Sequence, residues 1–99
     1  MPFVIFEVKT PDTPKIQDLL KDDMTSRQSI VIRDAKALGY KDDVTYVQIE
    51  GSGEAVKHAE EVAKSLGFTT VPEKKAKEIN EKITAEEKEA ASGMGMIFD

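Results

Sequence analysis

The chain has 99 residues, enough for one domain, and its 39% apolar and 33% charged residues predict a folded chain rather than a disordered one. It contains no cysteine, which excludes disulfides, thiolate metal sites and cysteine nucleophiles and favours a cytoplasmic location. The net charge of −5 argues against nucleic-acid binding through phosphate contacts. The N-terminal residues lack the features of a signal peptide, and no apolar run is long enough to span a membrane.

Two segments have the composition and periodicity of β-strands. Phe3–Lys9 is rich in β-branched and aromatic residues and is apolar on both faces at its start, which predicts a central position in a sheet. Val44–Glu50 alternates along the chain, so that Val47 and Ile49 face one side and the residues between them face the other. We expect both segments to lie in one sheet, with a short third strand at residues 69–71.

Three segments have helical periodicity. The first begins at Pro14 after Thr13 as the N-cap, because proline fits the first position of a helix. The second and clearest spans residues 54–66, and the third is a Lys/Glu-rich helix that follows Pro72. Each has one apolar stripe, which predicts one buried face. The stripes are, in chain order, Ile16, Leu19 and Leu20; Ala55, Ala59, Val62 and Leu66; and Ala76, Ile79 and Ile83.

Residues 25–38 fit two structures. Thr25 followed by Gln28 forms a capping box, so we predict a helix here. Its apolar stripe would consist of Met24, Val31, Ala35 and Leu38. The alternative is a strand at residues 29–32, because three successive β-branched residues are poor helix formers. The sequence leaves this alternative open.

Two short segments of the chain are near copies, 28 residues apart. They are residues 35–40 (AKALGY) and 63–68 (AKSLGF). A glycine followed by an aromatic residue is typical of a helix C-terminus at which the glycine takes a left-handed conformation. Gly39 and Gly67 are therefore predicted to end two helices that pack on the same sheet.

These elements predict a single α/β domain, an α+β two-layer sandwich, over residues 1–92. It would be a small sheet with helices mainly on one face, ferredoxin-like or related, followed by a charged C-terminal helical segment. Residues 93–99 are unexpectedly apolar and are predicted to form a tail or a strand.

Residues 44–66 resemble the strand, turn and helix found in ACT-type and KH domains. A KH domain requires a Gly-x-x-Gly loop between two helices, and the sequence has none. An ACT-type domain requires a paired second strand, which only the strand alternative at residues 30–32 would supply. No family is assigned on this resemblance.

Helices on one face alone would leave an apolar patch on the other face of the sheet. The patch would consist of Phe3, Ile5, Val44 and Tyr46. Candidates to cover it, in the same chain or in a neighbouring one, are Met94, Met96 and Phe98. We therefore predict a partner interface and a homo-dimer or higher oligomer. This interface would comprise Phe3, Ile5, Tyr46, Met94, Met96 and Phe98. The alternative is that the third helix covers the patch.

Both arginines of the chain lie in one short stretch, while every other basic side chain is a lysine. The guanidinium group suits paired contacts with carboxylates or phosphates. We therefore predict a binding site for an anionic ligand or a protein partner at Ser26, Arg27, Ser29 and Arg33. The alternative is that Asp23 with Arg27, and Ser29 with Arg33, form ordinary surface pairs four residues apart.

The remaining chemical candidates are a glycine-rich turn and one histidine. Gly51-Ser52-Gly53 lies between a strand and a helix, where backbone amides attract anions, although Ser52 as a simple N-cap is the alternative. His58 is the only histidine and is either a general base or a surface residue. No metal or cofactor is expected.

The absence of a recognisable catalytic, metal or cofactor motif favours a non-catalytic function. We predict a small cytoplasmic binding or assembly module, for a protein partner or an anionic ligand. The alternative is a small enzyme or enzyme subunit that uses His58 near the Gly51-Ser52-Gly53 turn.

Overall fold

The computed structural model describes residues 2–98, with side chains described for residues 2–85. Its four strands form one antiparallel sheet with the order β2-β3-β1-β4. The strands are β1 (Phe3–Lys9), β2 (Ser29–Asp34), β3 (Val44–Glu50) and β4 (Thr69–Thr70). The α-helices are α1 (Ile16–Leu20), α2 (Asp23–Ser26), α3 (Gly53–Ser65) and α4 (Glu73–Phe98), and the 3-10 helices are Thr10–Lys15 and Lys36–Leu38.

One face of the sheet packs against α1 and α3. The inward residues of β1 and β3 alternate as predicted, and the small side chains of Ala59 and Ala63 let α3 lie close to the sheet. The buried residues of this core are Val4, Phe6, Val8, Ile16, Leu19, Val47, Ile49, Val56, Ala59, Ala63 and Phe68. The apolar stripe predicted for α3 is confirmed, with Val62 and Leu66 partly buried at its margin.

The second face of the sheet packs against α4. Ala76, Ile79 and Ile83 recur at helical spacing, and each is at least nine-tenths buried. The other buried residues of this second core are Ile5, Ala35, Leu38, Tyr46 and Val71. Its partly buried residues are Phe3, Val31, Tyr40 and Val44. The predicted α+β sandwich is confirmed, but the apolar patch expected to stay open is covered by the chain's own helix. This is the alternative that the sequence left open.

The predicted helix over residues 25–38 is wrong, because Ser29–Asp34 is a strand paired with β3 along its whole length. Backbone pairing with β3 suits the three β-branched residues at positions 30–32 better than a helix does. The capping box is wrong as well. Asp22, not Thr25, is the N-cap of α2, and its carboxylate accepts the backbone amide of Thr25. Likewise, Thr13 lies inside a 3-10 helix and caps no α-helix.

The two near copies at residues 35–40 and 63–68 end in the same way, as predicted. Gly39 and Gly67 have φ values of 91° and 83°. The amide of the following aromatic residue donates to the carbonyl of the alanine five residues earlier, at 3.0 Å in the first copy and 2.9 Å in the second. The first copy closes a 3-10 helix and the second closes α3.

The C-terminal helix is longer than expected. α4 continues to Phe98, where a tail or a strand was predicted from residue 93. The predicted interface side chains of Met94, Met96 and Phe98 lie outside the described ones. No helix in the described residues is long and apolar enough to cross a membrane.

The elements up to β4 follow the order β-α-β-β-α-β. Because β2 pairs with β3, the second strand that an ACT-type arrangement requires is present. The narrower ferredoxin-like assignment stays a prediction.

Candidate functional site

The outer side of β2 is an edge of the sheet with unpaired backbone groups. Ala35 donates its amide to the carbonyl of Val44 at 3.0 Å, which makes these two residues a hydrogen-bonded pair. Hydrogen-bonded and non-bonded pairs alternate along an antiparallel ladder. The amides and carbonyls of Ile30, Ile32 and Asp34 therefore point away from β3, toward the outside of the sheet.

An exposed apolar side chain lies at the middle of this edge. Ile32 is 39% exposed and Met24, on α2, is 42% exposed, and they are the large hydrophobic side chains exposed among those the structure describes. Ile32 points to the face that carries α3, as does its cross-strand neighbour Val47. The edge therefore combines free hydrogen-bonding groups with an apolar contact point.

One outward-pointing carbonyl of β2 has an intramolecular partner. Nη1 of Arg33 donates to the carbonyl of Ile32 at 2.9 Å. Arg33 is the cross-strand neighbour of Tyr46, so its side chain leaves the sheet on the α4 face. This hydrogen bond covers part of the edge, and a strand that pairs with β2 must displace it.

The opposite edge of the sheet is short. β4 has only two residues, and Pro72 follows soon after and turns the chain into α4. Very short edge strands and prolines are common means of preventing strand pairing between chains. β2, with six residues and no proline, lacks both features.

A cleft of about 200 Å³ lies beside the β2 edge, on the α4 face. Residues from β2, β3 and α4 line it, and most of them are polar. They are Ser29, Val31, Gln48, Glu50, Asn80, Ile83 and Thr84.

The cleft is rich in hydrogen-bond acceptors. Gln48 is only 6% exposed, and its Nε2 donates to Oδ1 of Asn80 at 2.8 Å, whereas its Oε1 is buried without a hydrogen-bond partner. A buried acceptor left unpaired costs about 1–3 kcal/mol. Glu50 is half-buried and is the only charged residue among the described side chains that line the cleft. The cleft therefore suits a cationic group with several N–H donors.

The predicted ligand-binding residues do not form one site. Arg27 pairs with Asp23 at 3.2 Å on the exposed surface of α2, which is the surface-pair alternative. Ser26 donates to the carbonyl of Asp23 at 3.0 Å. Ser29 and Arg33 lie on β2, four residues apart and so about 13 Å apart along the strand. Of the predicted set, only Ser29 lines the cleft.

The Gly51-Ser52-Gly53 turn has a structural explanation. The hydroxyl of Ser52 accepts the amide of Ala55 at 3.2 Å, so Ser52 is the N-cap of α3. Gly51 is buried, and a Cβ atom on it would collide with Oε1 of Gln28. The first glycine thus provides space for a side chain, and the serine starts a helix.

His58 links α3 to the start of α2. Its Nε2 lies 2.9 Å from Oδ1 of Asp22, and Asp22 also accepts the amide and the hydroxyl of Thr25. These contacts, above all the one with His58, lower the pKa of the Asp22 carboxyl from its ordinary 3.8 to about 2. Ser52 lies six residues before His58, about 9 Å away along the helix axis. The structure therefore gives His58 an orienting carboxylate, and the Ser52 hydroxyl lies too far along the helix to serve as its nucleophile.

The predicted partner-interface residues on the sheet are covered within the chain. Ile5 and Tyr46 are 0% exposed beneath α4, and Phe3 is partly buried. The ammonium group of Lys75 lies 5.5 Å from the ring centroids of Tyr40 and Tyr46. It also lies 4.0 Å from a Glu7 carboxylate oxygen and 3.8 Å from one of Asp42. This cluster fastens α4 to the sheet.

The sequence-based predictions missed Ile32 and Gln48 as functional candidates. The signal for Ile32 was the β-branched run at residues 30–32, which was assigned to a helix. Nothing in the sequence marks Gln48, because the cleft depends on how α4 crosses β3. No cluster of three or more potential metal ligands exists among the described residues.

Comparison with known proteins found no match: neither a family model, nor a curated protein, nor a solved structure is similar to this chain at a significant level.

Proposed function

We propose that this chain is a non-catalytic assembly module that forms a homodimer through antiparallel pairing of β2 with β2 of a second copy. The observation that carries this proposal is the free outer edge of β2, a six-residue strand with Ile32 exposed at its middle. Pairing of two such edges would satisfy outward-pointing backbone groups and bury apolar surface in one step. The product would be a continuous sheet of two copies around a two-fold axis.

Contacts in the rest of the described chain favour an assembly function over catalysis. The hydroxyl of Ser52 is occupied as a helix cap, and His58 bonds to Asp22 between two helices. Both faces of the sheet are covered by helices of the same chain. The edge of β2 is therefore the surface best suited to a second chain.

Replacement of Ile32 tests this proposal. The full chain is examined by sedimentation velocity over a range of concentrations, as wild type, Ile32→Lys and Met24→Lys. Met24 is the matched control, since it has nearly the same exposure, 42% against 39%, but lies on α2. We expect a concentration-dependent dimer for wild type and Met24→Lys. Ile32→Lys should be monomeric, because a charge at the middle of a strand edge opposes pairing.

A second variant tests the backbone pairing without introducing a charge. The amide of Ile32 points outward, so Ile32→Pro removes a donor to the second copy and none to β3. We expect it to be monomeric with an unchanged far-ultraviolet circular dichroism spectrum. Wild type that stays monomeric at millimolar concentration, or Ile32→Lys that dimerises as well as Met24→Lys, would contradict the proposal.

A further inference from the structure

We infer that the polar cleft on the α4 face binds a short alkylguanidinium group, whose cationic end pairs with Glu50 and donates to Oε1 of Gln48. Every described residue that lines the cleft belongs to a single chain. Ligand binding in the cleft therefore goes beyond the proposed dimer and does not depend on it. Two acceptors without partners among the described residues, an apolar wall and a small volume point to such a ligand.

The two acceptors are neighbours on β3. Gln48 and Glu50 are two residues apart and both line the cleft, so their Cα atoms are about 7 Å apart. Oε1 of Gln48 is buried without a hydrogen-bond partner, and the half-buried carboxylate of Glu50 has no ion pair with a described residue. Burial has removed water from these acceptors, fully for Gln48 and in part for Glu50. A ligand that donates to both would recover this loss of hydrogen bonding.

The amide of Gln48 forms part of the cleft wall. Its Nε2 donates to Oδ1 of Asn80 at 2.8 Å, and Asn80 also lines the cleft. The last torsion of a glutamine side chain is soft, so a small rotation about it brings Oε1 to a donor in the cleft.

These acceptors select a guanidinium group over other ions. The carboxylate of Glu50 repels anions, whereas a guanidinium group carries a fixed positive charge and five N–H donors in one plane. One such group can donate to the carboxylate and to a second acceptor beside it. An ammonium group carries the same charge, but its stronger hydration makes transfer from water to a half-buried site less favourable.

The volume and the walls of the cleft limit the rest of the ligand. At roughly 30 Å³ for each water-sized group, the volume of about 200 Å³ holds about seven non-hydrogen atoms. This is too small for a nucleotide, and it matches a guanidinium group that carries a three-carbon chain. The side chains of Val31 and Ile83 provide an apolar wall against which such a chain would pack.

Titration with propylguanidinium, followed through amide chemical shifts in NMR spectra, tests the site. We expect a dissociation constant of about 1 mM, within the range that a ligand of about seven non-hydrogen atoms can reach. Propylurea has nearly the same shape without the charge and should bind at least about tenfold more weakly, and propylammonium about fivefold more weakly. Absence of shifts far above the expected constant, or equal binding of either comparison ligand, would overturn the inference.

Two variants assign the contacts. Glu50→Gln removes the charge, keeps the size of the side chain and should raise the dissociation constant at least about tenfold. Gln48→Met removes the amide acceptor and should raise it about threefold. Glu54→Gln is the matched control, because Glu54 is an exposed carboxylate on α3, and its constant should stay within about twofold of wild type. A constant unchanged by Glu50→Gln would overturn the pairing, and the three ligands test the site even if Gln48→Met does not fold.

The Ile32→Lys variant separates this site from the proposed dimer. It should bind propylguanidinium within about twofold of wild type, because the cleft lies within one chain. Loss of binding in this variant would contradict a site formed by a single chain. A wild type that stays monomeric yet binds propylguanidinium would overturn the dimer and support the site.

A blocked arginine distinguishes the two sources of a propylguanidinium group, a free small molecule and an arginine side chain of a partner protein. Nα-acetyl-arginine N-methylamide carries the same group on a peptide backbone. Binding as tight as that of propylguanidinium would assign the cleft to a protein arginine, and binding about tenfold weaker would assign it to a small molecule.

Discussion

At Asp22 a single carboxylate serves two elements, as the N-cap of α2 and as the partner of His58 on α3. Its pKa is lowered to about 2, so the ionised form stabilises the folded chain. That contribution is complete above the ordinary pKa of 3.8 and is lost as the pH falls toward 2. Asp22→Asn keeps a capping oxygen but removes the charge, and it should lower the unfolding free energy by about 1–2 kcal/mol at pH 6.

Urea unfolding of this variant between pH 6 and pH 2 checks the prediction. The difference between wild type and Asp22→Asn should shrink as the pH falls, because wild type loses its charge as well. Asp23→Asn serves as the control, since the Asp23 side chain is 85% exposed in its pair with Arg27 and should matter little. A constant difference down to pH 2, or an equal loss in Asp23→Asn, would contradict the assigned role.

Gly51 leaves space for a neighbouring side chain and does not adopt a backbone conformation that only glycine allows. A methyl group there would collide with the Gln28 side chain, whose Nε2 donates to the carbonyl of Met24 at 2.9 Å. Gly51→Ala should therefore displace Gln28 and cost about 1 kcal/mol in urea unfolding. Gly53→Ala is the control, because no atom lies within 4 Å of its added methyl group.

A double-mutant cycle confirms the cause. In a Gln28→Ala background the cost of Gly51→Ala should nearly vanish, because the colliding amide is gone. An undiminished cost in that background would show that the collision with Gln28 is not the cause. Gly53→Ala should leave stability unchanged or slightly raised, since alanine favours the helix.

Among the elements, β2 shows where sequence reasoning worked and where it failed. β1, β3, α3 and the two glycine-terminated segments follow from alternation, helical stripes and turn chemistry, which are local properties. The structure of residues 29–33 depends on a partner, because a β-branched run is stable as a strand only where another strand is available. The capping pattern at Thr25 agreed with a helix, and pairing with β3 overrode it.

The candidate site was harder to predict than the fold for a related reason. Arg27 and Arg33 are close in sequence, but the change from α2 to β2 between them places them on different elements. The cleft joins residues up to 55 positions apart, from Ser29 to Thr84, and no local pattern links them. Ser29 was predicted as a binding residue because it was placed with Arg27 on the first turn of a helix, whereas it begins β2.

The attachment of α4 to the sheet depends on Lys75. Its ammonium group lies over two tyrosine rings and approaches the Tyr46 hydroxyl, which has no partner of good hydrogen-bond geometry. The Tyr46 hydroxyl is the main cause of the raised pKa of Lys75, which outweighs the effect of burial. Lys75→Gln should lower the unfolding free energy by about 1 kcal/mol.

Urea unfolding at pH 7 measures this loss, with Lys74→Gln, at an exposed position of the same helix, as the control. Because the pKa is raised in the folded chain, the stabilisation by Lys75 is full below pH 10.5 and is lost as the pH rises through the raised pKa. The two variants should therefore converge in strongly alkaline solution. Equal stability of the two variants at pH 7 would show that the cluster does not hold α4.

In the whole molecule, helices cover both faces of the sheet, and its two edges differ. One edge ends in a two-residue strand followed by a proline, and the other is a six-residue strand with an exposed isoleucine. Association through a sheet face would require α4 to leave its core of buried isoleucines. Association through the β2 edge requires the hydrogen bond from Arg33 to the carbonyl of Ile32 to break.

Amide hydrogen exchange along β2, measured by NMR at low and high protein concentration, tests the edge-pairing account most directly. The amides of Val31 and Arg33 point toward β3 and should be protected at every concentration. The amides of Ile30 and Ile32 point outward, so they should exchange rapidly in dilute solution and become protected as the concentration rises. Rapid exchange of these two amides at all concentrations, with Val31 and Arg33 protected throughout, would contradict the account.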